Sequence, residues 1–146
     1  MMVLTIDNFD IHNVYFGNTT KNNVISEGRF SHINYSTHYF SLNAIYLSIP
    51  LKMKSINSHG KTKIFFKKKE NEYIINKLKI IEEKLLENML TKTQLKINQY
   101  LENEIIVVYS KEKPNFSIIL KISGIWETEE QCGLSFKFII HPLKNE

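Results

Sequence analysis

The sequence predicts a mainly β domain with one helical region, in which five to seven strands close into a small Greek-key barrel with a helix before the last strands. Three observations predict it. Apolar and polar residues alternate through the first half of the chain, the hydrophobic period becomes helical over residues 71–103, and alternation then returns. A chain of 146 residues, 42% of them hydrophobic, fits a single domain over residues 1–146 with a buried core.

The early strands are predicted from this alternation. "HNVYFGN" (residues 12–18) is a short aromatic strand, and residues 24–36 form the next one. Residues 42–56 predict one longer strand, because successive side chains of a strand lie on opposite faces. Its core face carries Ile45, Leu47, Ile49, Leu51 and Met53, and its open face carries Tyr46, Lys52 and Lys54. Pro50 cannot donate to a ladder, so we expect a bulge or an edge position there.

A hairpin is predicted next. "NSHGK", which contains Gly60, is typical of a tight turn, and "KTKIFFKKK" is the return strand. Alternation puts Lys61, Lys63, Phe65 and Lys67 on one face of that strand.

The helical region is predicted from a change of period. Ile74, Leu78, Ile81 and Leu85 recur at three- and four-residue steps, which is typical of an amphipathic helix. Thr91-x-x-Gln94 resembles a capping box and predicts that a second short helix begins there. One hypothesis for the function of this region, residues 71–103, is that it binds a protein partner; the alternative to that hypothesis is that its apolar residues only pack in the core.

Three strands are predicted to close the chain: "EIIVVYS", "FSIILKISGIWE" and "LSFKFII", with a turn at Lys113–Asn115 between the first two. Parity groups Trp126 with the inward Leu120 and Ile122, unless a bulge at Gly124 re-aims its ring, and it makes Phe136 and Phe138 core residues. Lys121 and Lys137 then face outward. Strands, a helix and further strands follow one another in this order in the OB-fold. An open α+β sheet with a helical layer is the alternative.

Several classes of protein are disfavoured by the sequence. No apolar run approaches the roughly 20 residues that span a bilayer, and the N-terminus lacks the basic region of a secretory signal, so we expect no membrane partner. The single cysteine fits an intracellular, reducing compartment. Phosphate-binding loops and zinc motifs are absent from the sequence, so we expect no cofactor, no metal and no catalytic residue. The competing enzyme hypothesis needs Asp10, His32 and His38 to meet in a pocket.

The charge is concentrated in one segment. The net charge is +4, but residues 52–69 hold seven lysines and no acid, whereas residues 70–104 carry seven glutamates against five lysines. Lysines neutralise phosphates and exposed aromatic rings stack unpaired bases. The predicted nucleic-acid-binding residues are Lys52, Lys54, Lys61, Lys63, Lys67, Lys121, Lys137, Tyr46, Phe65, Arg29 and Trp126. The alternatives are that the hairpin lysines only discourage strand pairing and that Trp126 packs in the core.

Two stretches of the chain, one in each half, resemble a known family, and each contains two short motifs. In the first stretch, Phe30–Ser36 has the pattern aromatic-x-x-Ile-x-Tyr-Ser and Phe40–Tyr46 has the pattern Phe-x-Leu-Asn-x-Ile-Tyr. In the second stretch, Gly124–Glu127 is Gly-Ile-Trp-Glu and Gly133–Lys137 has the pattern Gly-Leu-x-Phe-Lys. These motifs resemble the single-stranded-DNA-binding proteins of large nucleocytoplasmic DNA viruses.

The resemblance implies an OB-fold protein of viral DNA replication or repair in the host cytoplasm or nucleus. It implies single-stranded DNA as the partner, with RNA as the alternative, and self-association or replication proteins as further partners. The competing hypothesis from another class is a viral protein–protein interaction module that uses an exposed strand or the 71–103 helix.

Overall fold

The computed structural model describes residues 2–22, 28–110 and 115–143. The strands are β1 (Leu4–Thr5), β2 (Val14–Asn22), β3 (Gly28–Ser36), β4 (Ser41–Leu42), β5 (Ile45–Ser48), β6 (Met53–Ser58), β7 (Lys61–Phe66), β8 (Lys92–Gln94), β9 (Ile105–Tyr109), β10 (Phe116–Glu127) and β11 (Gln131–Pro142). The helices are α1 (Glu72–Leu85) and α2 (Lys96–Leu101), with 3-10 turns at Ile11–Asn13 and Lys68–Glu70. The prediction of a mainly β protein with one helical region is confirmed.

The strands form two sheets. In the first sheet β10 pairs with β11 along one edge, and with β5 and β3 along successive parts of the other edge. Strands β1 and β8 extend this sheet in parallel with β5 and β11, and β2 and β4 pair with β3. The second sheet is antiparallel, in the order β6-β7-β9. Among the described residues the hydrogen-bonded strands form two open sheets and do not close into a ring, so the closed barrel of five to seven strands predicted from the sequence is not found there.

The predicted strand over residues 42–56 is wrong as a single element. Its parity holds, since Ile45, Leu47 and Ile49 are buried. However, the chain leaves the first sheet after Ser48 and enters the second sheet at Met53. Asn71 fixes the crossing: its Oδ1 accepts from Lys52 N at 2.8 Å, and its Nδ2 donates to the carbonyls of Lys52 and Lys67 at 3.2 and 2.8 Å. Tyr46 is therefore on a different sheet from Lys54.

The tight turn predicted at Gly60 is confirmed. Strand β6 ends at Ser58 and β7 begins at Lys61, so the loop has two residues. His59 and Gly60 have φ angles of 50° and 77°, the left-handed pair that a two-residue hairpin turn of type I′ requires. Histidine tolerates this region better than a β-branched residue does, and glycine adopts it without a steric cost.

The helical region differs from its prediction at the second helix. Helix α1 buries Leu78, Ile81 and Leu85 as predicted, whereas Ile74 is only half-buried and Ile75 is buried in addition. The capping box at Thr91 is wrong: residues 92–94 form β8, and the Thr91 hydroxyl donates to Glu127 Oε2 at 3.1 Å.

A bulge in β10 reverses the predicted orientation of Trp126. Ile122 pairs with Phe136 and Gly124 pairs with Ser135, so Ser123 is an extra residue on one strand. Beyond it the core face carries Ile125 and Leu134, which are both buried. Trp126, with odd spacing from Ile125, therefore lies on the face opposite the core. The inward position predicted from parity alone is wrong, and the alternative of a bulge near Gly124 agrees with the register, which has its extra residue at Ser123.

The last strand follows its predicted parity. Lys121 and Lys137 pair directly and face away from the core. Phe138 is buried, whereas Phe136 is half-buried at the rim of the core, where both rings contact Tyr100. The predicted turn residues Lys113 and Pro114, and residues 24–27 of the second predicted strand, lie outside the described residues.

Candidate nucleic-acid interface

The outer face of the second sheet carries lysines and apolar side chains in alternation. Directly paired residues of antiparallel strands share a face, so Lys54 lies beside Phe65 and Ile56 beside Lys63. Tyr109 of β9 is paired with Lys61 and lies on the same face. We call this set the basic sheet face: Lys54, Ile56, Lys61, Lys63, Phe65 and Tyr109. The opposite face is core, with Ile64, Phe66, Ile106 and Val108 buried.

The apolar members of the basic sheet face are exposed. Ile56, Phe65 and Tyr109 keep 57%, 40% and 76% of their surface accessible. Lys61 Nζ lies 5.2 Å from the centroid of the Tyr109 ring, within cation–π range. Grouped apolar side chains on a protein surface often mark an interaction site, and here they are separated by cations.

The electrostatics of this face are positive. All the outward side chains of β6, β7 and β9 are lysines, serines or apolar groups. Within the described ranges, the acids nearest to these strands in sequence are Glu102 and Glu104, and both are engaged elsewhere: Glu102 Oε1 accepts from Lys68 Nζ at 2.7 Å, and Glu104 Oε2 accepts from Lys68 N at 2.9 Å. An anionic ligand on the basic sheet face thus meets lysines without a competing carboxylate on the same strands.

One end of the face opens into a depression of about 350 Å³. It brings together four predicted binding residues, Lys52, Lys54, Phe65 and Lys67, because the segment that links the two sheets at Lys52 lies close to Lys67, the residue after β7. Its lining consists of Lys52, Met53, Lys54, Phe65, Phe66, Lys67 and Glu70. Glu70 is the acid nearest to this end of the site.

A second group of predicted residues lies on the first sheet. Lys121 pairs with Tyr46 on one side and with Lys137 on the other, and its Nζ is 5.7 Å from the Tyr46 ring centroid. These three form a row across β5, β10 and β11. The predicted binding residues are therefore divided between two sheets instead of lying on one surface.

Arg29 and Trp126 lie where β3 pairs with the last residues of β10, beyond the bulge at Ser123. Arg29 is exposed and pairs across the strands with Glu127, so its neighbour is acidic. Trp126 is half-buried, and its indole lies against Gly133: a β-carbon there would be 2.6 Å from Trp126 Cζ2. Phe30 lies over Gly124 in the same manner. Both glycines provide room for a ring.

Two residues of the basic sheet face were missed by sequence reasoning. Tyr109 is placed outward by the parity of "EIIVVYS", since Ile106 and Val108 point inward. Nothing in the sequence pairs it with Lys61, because the two lie on strands that are distant along the chain. Ile56 was missed because, by alternation, it lies on the same open face as Lys52 and Lys54, where polar residues are expected.

The competing hypotheses have less support. Among the described residues, no three His, Cys, Asp or Glu side chains gather as metal ligands. Asp10 Oδ1 accepts from His12 N at 2.9 Å, which lowers the Asp10 pKa, while His32 packs edge-on against Phe30. No helix in the described ranges is long and apolar enough to cross a membrane.

The outer face of α1 does not form a continuous apolar surface. Tyr73 and Ile80 are exposed, but Lys77 lies between them with its Nζ 5.6 Å from the Tyr73 ring. The Tyr73 hydroxyl donates to Asp7 Oδ1 at 2.6 Å, so its polar end is already bonded within the chain. This helix is a weaker candidate for a docking surface than the basic sheet face.

Comparisons with protein-family models, with curated proteins and with solved structures give no match for this chain. The resemblance to the viral single-stranded-DNA-binding proteins therefore rests on the four short motifs alone.

Proposed function

We propose that this protein binds single-stranded nucleic acid, and single-stranded DNA above all, on the basic sheet face and without reading base sequence. The observation that carries the proposal is the alternation of Lys54, Lys61 and Lys63 with exposed Phe65 and Tyr109 on one sheet face. The protein acts as a binding protein in this proposal and performs no chemistry on its ligand.

The physical basis is the combination of two contacts. Each lysine that meets a phosphate releases counterions, which favours any nucleic acid at low salt. An aromatic ring adds stacking energy only where the face of a base is free, and in a duplex those faces are covered by neighbouring base pairs. Phe65 and Tyr109 therefore favour single strands over duplex. RNA is the alternative ligand, since neither contact distinguishes the two sugars.

A finer architecture accompanies this proposal. In it, the two sheets are parts of one OB-like barrel in which β10 is the long, bent strand. Its support is that β10 is shared between β11, β5 and β3, that a bulge bends it at Ser123, and that the helices precede the last strands.

The setting we propose is viral DNA replication or repair inside the host cell. Its support is the set of motifs from Phe30 to Tyr46 and from Gly124 to Lys137, together with the basic sheet face.

The test is a binding titration with a matched charge control. Lys54, Lys61 and Lys63 are changed together to Gln, and the control changes Lys77, Lys79 and Lys84 of α1 to Gln, which removes the same charge from another surface. Binding of fluorescently labelled oligo-dT is followed by anisotropy at low salt. The proposal predicts that the first variant binds much more weakly than the control. Equal weakening in both variants would show that only net charge matters, and would contradict the proposed site.

A further inference from the structure

The largest aromatic side chain of the protein lies outside the core, beside an open depression. The depression is wide and shallow, has a volume of about 530 Å³, and lies where α2 passes the edge of β11. Its lining consists of Lys96, Gln99, Tyr100, Trp126, Leu134, Ser135 and Phe136. We call it the Trp126 depression.

The position of Trp126 is produced by two local features. The bulge at Ser123 turns the side chain away from the core, and Gly133 leaves space for the indole on the neighbouring strand. Ile125 and Leu134 fill the core at this level without it. Packing of the core does not therefore explain why a tryptophan stands at this position.

The chemistry of the lining fits a base and a phosphate. Three aromatic side chains, Trp126, Tyr100 and Phe136, are only half-buried there. Lys96 is exposed at the rim, the lining contains no carboxylate, and the salt bridges of the described residues do not involve Lys96. A cation beside aromatic rings is complementary to an anionic ligand with flat, apolar groups.

Tyr100 links the Trp126 depression to β9 of the second sheet. The Tyr100 hydroxyl accepts from the backbone N–H of Val107 at 3.1 Å. Backbone N–H groups lie in the plane of a sheet, so this bond places Tyr100 beside β9, the strand that also carries Tyr109.

We propose that the Trp126 depression is a nucleobase subsite, in which one unpaired base of a bound single strand stacks on Trp126 and Lys96 meets its phosphate. This inference rests on the proposed function, since it extends the path of the same ligand beyond the basic sheet face. It assigns a binding role to Lys96, which no motif of the sequence indicates.

The test uses the intrinsic fluorescence of Trp126, the only tryptophan of the chain. Unlabelled oligo-dT of about 16 nucleotides, the upper end of the site sizes of small single-strand-binding domains, is titrated into the whole protein. A base stacked on the indole is expected to quench its emission. Anisotropy of a labelled oligo-dT is measured in parallel, so that binding is detected whether or not the tryptophan responds.

Three variants sharpen the test. Trp126→Ala should weaken oligo-dT binding roughly 5- to 150-fold, whereas Trp126→Phe, which keeps a ring, should retain most of the affinity. Lys96→Gln is an exposed change that leaves the fold intact, and it should weaken binding and reduce the salt slope by about 0.7, the share of one phosphate on a single strand. It keeps the inference testable if Trp126→Ala does not fold.

The outcomes separate this inference from the proposed function. Binding detected by anisotropy with unchanged Trp126 emission and unchanged affinity in Lys96→Gln would overturn the subsite and leave the basic sheet face in place. Absence of any oligo-dT binding at low salt would overturn the proposed function and the subsite together. Quenching by an unrelated basic or acidic peptide, but not by oligo-dT, would identify the depression as a peptide site and also contradict the inference.

Discussion

Glu82 is a carboxylate with no exposed surface, and its environment explains why it is tolerated. Its two oxygens accept from the backbone N–H groups of Ile97 and Asn98 at 2.9 and 3.0 Å, so a side chain from α1 caps the start of α2. Burial raises the pKa of Glu82, and the two backbone hydrogen bonds offset part of that rise. This cap replaces the capping box that the sequence suggested at Thr91.

The raised pKa predicts a dependence of stability on pH. The unfolded chain protonates Glu82 near its ordinary value of 4.5, while the folded protein protonates it at higher pH. The stability contribution of this group is therefore fully present below 4.5 and is lost as pH rises through the folded pKa. Urea denaturation of the wild type and of Glu82→Gln across this window should show their difference changing with pH. A constant difference would contradict the pKa shift.

Removing the cap altogether should be more costly. Glu82→Ala leaves two backbone N–H groups in the interior without their acceptor. We expect the free energy of unfolding at neutral pH to fall by about 1–3 kcal/mol. Glu83→Ala, on the exposed side of the same turn, is the matched control and should change stability by less than about 0.5 kcal/mol. Equal effects of the two substitutions would argue against a capping role.

Phe138 and Lys137 are neighbours on β11 with opposite surroundings. Phe138 is 9% exposed and packs against Tyr100 at 5.5 Å between ring centroids, whereas Lys137 is exposed. We expect Phe138→Ala to cost about 3–5 kcal/mol and Lys137→Ala less than about 0.5 kcal/mol, as measured by urea denaturation. Phe136→Ala should fall between them, because its ring is only half-buried. A folded, fully stable Phe138→Ala variant would mean that this face of β11 is not core.

At the scale of elements, the bulged strand β10 and its neighbour β11 depend on Gly133. A β-carbon at this residue would be 2.6 Å from Trp126 Cζ2 and 3.1 Å from the carbonyl oxygen of Gln94. Gly133→Ala should therefore destabilise the protein by about 1–3 kcal/mol and alter the emission of Trp126. Gly17→Ala is the control, because its β-carbon would meet His32 Cβ at an ordinary 3.5 Å. Similar stability in both variants would contradict the close contact of the indole with β11.

The hairpin β6–β7 carries the lysines of the basic sheet face. Its contribution to the proposed nucleic-acid binding is measurable from how the affinity depends on salt concentration. Each phosphate contact on a single strand contributes about −0.7 to the slope of log K against log salt concentration. Replacing Lys54, Lys61 and Lys63 by Gln should therefore reduce the slope by about 2. Circular dichroism should be unchanged, since all three side chains are exposed. A variant with unchanged slope would assign these lysines to solubility or edge protection alone.

At the scale of the whole molecule, alternation predicted which side chains of each strand face inward, but it did not predict which sheet a strand joins. Pro50 indicated an irregularity in this segment, but the transition between Ser48 and Met53 depends on Asn71, a residue distant along the chain, so the local pattern did not show that the chain changes sheet. The same limit applies to Trp126, whose orientation depends on one extra residue at Ser123. Pairing of Tyr109 with Lys61 is likewise a tertiary fact.

The candidate site was predicted only in part, because the pairing of strands is not visible in the local sequence. The lysine-rich segment identified the hairpin, because charge clustering is visible along the chain, and Phe65 followed from parity within one strand. Tyr46, Lys121 and Lys137 were predicted to bind the same ligand as the hairpin lysines, but they form a separate row on the other sheet. The composition of a surface is thus easier to predict than the surface on which each residue lies.

The central claim is that the molecule binds single strands through lysines and exposed rings. Its most direct test is a comparison of oligo-dT with a DNA duplex of the same length, each titrated into the whole protein at about 50 and about 200 mM salt. We predict that oligo-dT binds more tightly than the duplex at both salt concentrations. Its affinity should also fall as salt rises, with a slope of log K against log salt concentration of about −2 or steeper, which corresponds to at least three phosphate contacts. Equal or tighter binding of the duplex, affinity that does not respond to salt, or no binding at about 50 mM would contradict it.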